Sequence, residues 1–190
     1  MKKEYRDKFG NFVHEERKKE EETLAICEDI LKNSRNEMAV AMRFLQSAFG
    51  ALKPVVSGET GAIGTDGKLL YAAPGWLIGS FMKDRVRLNR MYLHEILHCL
   101  FCHMDTCGKR EPELWNLACD IAVESMLDDM YVKCIRVAPT PFRRDWYGRL
   151  HAKLTVLNAE GVYRVLKEEQ LDTRRLGRLE AEFLVDAPSI

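Results

Sequence analysis

The chain has 190 residues, 46% apolar and 31% charged, and its 29 basic and 29 acidic side chains leave a formal net charge of zero. That composition suits an ordinary globular domain with enough chain for one full core. The balanced charge gives no global pull toward nucleic acid or an anionic membrane, and no run of about 18 apolar residues marks a membrane-spanning helix.

Residues 1–22 are dense in charge of both signs, as in Glu15-Glu16-Arg17-Lys18-Lys19-Glu20. They are expected to form a solvated helix or tail held by i,i+4 pairs, with Phe9, Phe12 and Val13 as tethers. From Thr23 to about Leu52 the apolar period becomes helical. One stripe is Leu24, Cys27, Ile30 and Leu31; a second is Met38, Met42, Leu45 and Phe49. Asn33-Ser34-Arg35-Asn36 is expected to break them apart, and Gly50 and Pro54 to end the run. The segment 61–71 reads as a β-hairpin turning at Asp66-Gly67. A short helix follows over 76–88. A stronger one starts near Leu88 and is expected to stop at Cys107-Gly108. Pro112 suits the first position of the next helix, about Glu113 to Met130. Pro139 and Pro141 mark a loop. Asn158 is a fitting N-cap for a helix over 159–166, and the pattern weakens after Gln170.

The informative segment is His94-Glu95-Ile96-Leu97-His98, an H-E-x-x-H inside an apolar-periodic helix. At this composition about 0.01 such matches arise by chance. The spacing suits metal chemistry. His94 and His98 lie about 40° apart on one helical face, one turn apart, so both imidazoles reach one cation. Glu95 is turned by about 100° and is placed to take a proton from a water on the metal's open position.

A catalytic zinc site needs a third protein ligand. His103 is nearest in sequence, but a continuing helix would put it about 180° from His94. No glycine between them turns the chain back, as one does in H-E-x-x-H-x-x-G-x-x-H proteins; a position behind the ligands or at the surface suits it better. Asn116, Asp120 and Glu124 form a polar stripe on the otherwise apolar next helix. A buried acid there is costly unless paired or metal-bound. Asp120 is the preferred third ligand, Glu124 the alternative, and Asn116 or Glu124 would orient an imidazole from behind. Two histidines and one carboxylate suit Zn2+ and also Fe2+.

Of the six cysteines, Cys99, Cys102, Cys107 and Cys119 could form a thiolate site, but Cys99 and Cys102 fall within the expected helix with no knuckle turn between them, and small buried thiols are the simpler reading. No apolar stretch follows the basic start, so no signal peptide is read. Reduced thiols and a cytoplasmic location are expected.

The ordered set of motifs resembles a known family. The His94-Glu95-x-x-His98-x-x-x-x-His103 run, Trp115-Asn116-x-Ala118-x-Asp120, Thr65-Asp66-Gly67 ahead of Tyr71, and Ala159-Glu160-x-x-Tyr163 are similar to the bacterial metallopeptidase-type domain that precedes a von Willebrand A-like domain. The resemblance spans about 23–170. It implies an α+β, zincin-like fold, mostly helical, with a small β-hairpin or sheet packed on the H-E-x-x-H helix. It also implies a zinc hydrolase site with His94, His98 and Asp120 as ligands and Glu95 as base, and a MoxR-type AAA+ ATPase as partner. This chain carries Glu124 where the family pattern commonly has Asn. Residues 1–22 are then a charged helix or tail, 23–170 the domain, and 171–190 a C-terminal segment readable as the start of a missing domain.

Two functions compete. One is a zinc metallopeptidase acting on cytoplasmic peptides or proteins. The other is a zinc-binding module without catalysis that docks on an AAA+ ATPase or another protein. Neither nucleic acid nor membrane is expected as a partner, since the Arg143-Arg144 and Arg174-Arg175-Arg178 clusters are short and flanked by acids. Substrate is expected along a sheet edge, with Lys68 to Ala73 the candidate strand.

Overall fold

Helical periodicity governs most of the chain, and the computed structural model is mostly helical with one small sheet. It describes residues 2–58 and 61–184, and for 2–14 the backbone alone. Helix α1 (Lys2–Ala41) is continuous through Asn33-Ser34-Arg35-Asn36, where a break was expected. Ser34 turns inward and is buried between the two apolar stripes, so the polar run caps nothing. Cys27, Ile30, Leu31, Met38 and Met42 are buried, whereas Leu24 stays exposed. The tethering role read for Phe9, Phe12 and Val13 lies outside the described side chains. A 3-10 turn (Arg43–Leu45) and the short α2 (Gln46–Ala51) lead into the sheet.

Strands β1 (Lys53–Val56), β2 (Ile63–Thr65) and β3 (Leu69–Ala72) are ordered β1-β3-β2. The β2–β3 pair is the expected hairpin. Gly67 takes φ +84°, and Asp66 Oδ1 accepts from the Lys68 and Leu69 amides at 2.8 and 2.7 Å. An Asp-Gly pair is the standard chemistry for such a turn. β1 adds to β3 in parallel, a pairing the sequence reading did not contain. It makes β3 the central strand, paired on both edges, so Lys68 to Ala73 cannot take up another strand.

Helix α3 (Pro74–Lys83) begins with proline at its first position, and Asp84 then caps α4 (Arg85–Leu100) by accepting from the Val86 and Arg87 amides. After it come α5 (Pro112–Asp129), α6 (Pro141–His151), α7 (Ala159–Glu169) and α8 (Thr173–Phe183). Two of these were not read from sequence. Pro141 opens α6 rather than extending a loop, with Thr140 Oγ1 accepting from the Arg143 amide. Helix α8 is capped by Asp172 and buries Leu179 and Phe183 completely.

Two apolar clusters result. The first joins α1, α3, α4 and the sheet, and takes Val123 and Leu127 from α5. The second gathers α6, α7 and α8 around Trp115, Ala118, Ile121 and Ala122 of the same α5. Helix α5 is thus shared by both. β2 lies against α4, where Thr65 Oγ1 and Cys99 Sγ are 3.7 Å apart. Among the described residues no helix is long and apolar enough to cross a membrane.

Candidate metal centre

His94 and His98 leave α4 on the face turned to α5, and their Nε2 atoms are 2.9 Å apart. Asp120 Oδ1, on α5, stands 3.2 Å from His98 Nε2 and 3.8 Å from His94 Nε2. All three residues are buried, and among the described residues they form the one group of three or more such side chains able to hold a metal ion. The donor set fits a cation. Its separations bracket the roughly 3.3 Å edge of a tetrahedron with metal–ligand bonds of about 2.05 Å. Glu95 is the next residue on α4 and is also buried. His98, at 8% exposure, is the most open of the four.

Two neighbours hold the imidazoles from behind. Glu124 Oε1 is 3.0 Å from His94 Nδ1, which donates to it and leaves the Nε2 lone pair facing the centre. His98 Nδ1 is 3.3 Å from His103 Nδ1. Burial first, and then the nearby His98, lower the His103 pKa to about 4, so its ring is neutral near pH 7 and can accept. With His98 Nδ1–H donating to it, the second lone pair also faces the centre. The His103 carbonyl in turn accepts from Trp115 Nε1 at 3.0 Å.

His103 stands here because α4 stops early. The helix ends at Leu100, seven residues before the expected stop, and Cys102 adopts a left-handed φ of 54°. The Cys102 amide donates to the Cys99 carbonyl and the His103 amide to the His98 carbonyl, both at 3.1 Å. Those two bonds define a Schellman termination with cysteine at the position glycine usually fills. The chain therefore folds back onto His98, and the opposite-face argument against His103 does not apply. Gly108, read as the helix stop, is left-handed too but lies in the connecting loop. Asn116 is exposed on the first half of α5 and is not part of the buried cluster.

Behind Glu124 lies a charge network that sequence reasoning missed. Arg90 Nη2 donates to Glu124 Oε2 and to Asp128 Oδ1, both at 2.6 Å. Arg143, on α6, also bonds Glu124 Oε2. It holds α8 through Glu182, with Nε to Oε1 at 3.0 Å and Nη2 to the carbonyl at 2.6 Å. Tyr147 donates to Asp128 Oδ2 at 2.9 Å. Burial alone would raise the Glu124 pKa, but the His94 hydrogen bond and the two guanidinium groups hold it well below the usual carboxylate range. In the sequence Arg143 stands out only as half of the short, acid-flanked Arg143-Arg144 pair; Thr140-Pro141, a cap before a first-position proline, is the signal for the helix that carries it.

The six cysteines are free. Residues 28–182 match the family model described as "Putative metallopeptidase domain". The chain belongs to this family. No curated protein and no solved structure matches it. The family span runs from within α1 to within α8, so the His–His–Asp group and both clusters, apart from Cys27 and Phe183, fall inside it.

Proposed function

We propose that the chain is a zinc-dependent peptidase of cytoplasmic peptides or proteins, with a zincin-like arrangement of helix and sheet. The observation that carries this reading is the meeting of His94 Nε2, His98 Nε2 and Asp120 Oδ1, with Glu95 adjacent on the same helix. Membership of a metallopeptidase-type family supports it. When bound, the cation supplies Lewis-acid polarisation of a substrate carbonyl and acidifies water. The chain's own residues do the rest. Both imidazoles present lone pairs because Glu124 and His103 fix their tautomers. Glu95 accepts a proton from the attacking water at its carboxylate and returns it to the leaving amine nitrogen. Burial of Glu95 keeps bulk water from competing for that proton.

The test is metal content and peptide hydrolysis on wild type, Glu95→Gln, Asp120→Ala and His103→Ala. The expected result is about one zinc per chain in wild type and in Glu95→Gln, with hydrolysis in Glu95→Gln down at least about 100-fold. Asp120→Ala should lose the zinc, and His103→Ala should keep it more weakly. Zinc bound with no hydrolysis by the wild type would refute the enzyme reading and leave a binding module, for which an AAA+ ATPase is the partner to test.

A further inference from the structure

Beyond the C-terminal end of α4, a cleft of about 540 Å³ opens between α5, the residues after α4, and the segment joining α6 to α7. His103 forms part of its wall, and its ring centroid is 5.0 Å from that of His98. The His103 ring thus stands between the cleft and His98. Phe101, Met126 and Val156 line it and are 41, 40 and 70% exposed, which groups three large apolar side chains on one wall. Asp129, at the end of α5, and Glu160, in the first turn of α7, add two exposed carboxylates. Among the described residues no lysine or arginine lines the cleft. Besides His103, the basic side chain on its wall is His151.

We propose that this cleft receives a lysine or arginine side chain of a peptide lying across the metal centre, so that the protein selects basic peptides. The proposal rests on the peptidase reading for what brings a peptide to the centre. The chemistry of the walls carries the choice of occupant. A lysine or arginine has an aliphatic stem that covers apolar surface and a charged head that stays near water. Phe101, Met126 and Val156 match the stem, and Asp129 and Glu160 match the head. A purely apolar side chain would leave both carboxylates unused, and an acidic one would meet like charge.

The experiment uses the full chain, zinc-loaded and carrying Glu95→Gln so that bound peptide stays intact. Fluorescent, end-capped heptapeptides of glycine and alanine with a central leucine–lysine pair are compared with leucine–glutamate and leucine–alanine versions by anisotropy. The lysine peptide should bind on the order of tenfold tighter than the glutamate peptide, and the difference should shrink in 0.5 M salt. Adding Asp129→Asn with Glu160→Gln should reduce the discrimination to about twofold and leave the alanine peptide unchanged. Glu160→Lys should favour the glutamate peptide. Equal binding of the three peptides, no binding of any, or discrimination that survives the double substitution overturns the proposal. Hydrolysis by the otherwise wild-type chain is scored separately. Selective binding without hydrolysis removes the peptidase and keeps the cleft, whereas hydrolysis without selectivity does the reverse.

Discussion

Replacing Glu124 with alanine tests whether the centre depends on support from behind its ligands. Glu124 Oε1 is the acceptor for His94 Nδ1, and Oε2 takes Arg90 and Arg143. Its removal has two separable costs. Without its acceptor, the His94 ring loses its fixed tautomer and orientation, which weakens metal binding by about 10–100-fold, or roughly 1.4–2.7 kcal/mol. Among carboxylates, Arg90 and Arg143 are also left with only Asp128 and Glu182, and breaking a buried ion pair costs about 3–5 kcal/mol. Because those partners remain, the stability loss belongs at the lower end, near 3 kcal/mol. Arg143→Ala is the control. It removes charge but leaves the acceptor, so it should cost comparable stability with at most about a threefold loss of zinc affinity. Zinc affinity is read by competition with a chromophoric chelator, and stability by urea unfolding of the metal-free chain. The sign with pH follows from the depressed Glu124 pKa. Its contribution is present above the unfolded value near 4.3 and is lost only as pH falls through the lower folded value. The stability gap between wild type and Glu124→Ala should therefore be flat between pH 6 and 8 and close in strong acid. A Glu124→Ala chain with wild-type zinc affinity would refute the reasoning and leave helix packing alone to aim His94.

Two further substitutions probe the elements that place the centre. Cys102→Gly removes a side chain from a left-handed position and should stabilise the chain by up to about 1 kcal/mol, a rise of about 2–4 °C in Tm, with metal binding unchanged. A fall in Tm would mean that the thiol's packing outweighs the backbone strain. Gly161→Ala should destabilise by about 1–3 kcal/mol, because a Cβ there would stand 2.7 Å from Asn158 Oδ1, the N-cap of α7, and 3.2 Å from two Leu154 methyl carbons. Calorimetry decides it, and an unchanged Tm would show that the cap can move aside.

What could be read from sequence was local, and what could not was mostly set by distant partners. The i,i+4 histidines, the Asp66-Gly67 turn and the Asn158 cap each announce themselves within a few residues. Strand β1 is four residues with a proline in it, and only its parallel partner, more than ten residues on, makes it a strand. Helix α8 shows a thin stripe of Leu176, Leu179 and Phe183 among charges, three residues whose weight lies in the α5 and α7 side chains they pack against. The early end of α4 escaped because the left-handed turn usually signalled by glycine is made by Cys102. The candidate site follows the same division. His94 and His98 share one helix turn, Asp120 needed an assumption about how two helices pack, and Arg143 arrives from a helix that had been read as loop.

The division of α5 between two apolar clusters has a mechanical consequence. Its Val123 and Leu127 belong to the half built on α1 and the sheet, and its Trp115 and Ile121 to the half built on α6–α8. Asp120 reaches across to α4, while Glu124 ties that same crossing to α6 and α8 through Arg143. A cation at the crossing would act as a rivet through the hinge plate, clamping two bodies that could otherwise work against each other. Drawing it out would leave each body intact and slacken only the joint, so a single sharp melting step would broaden or divide in two.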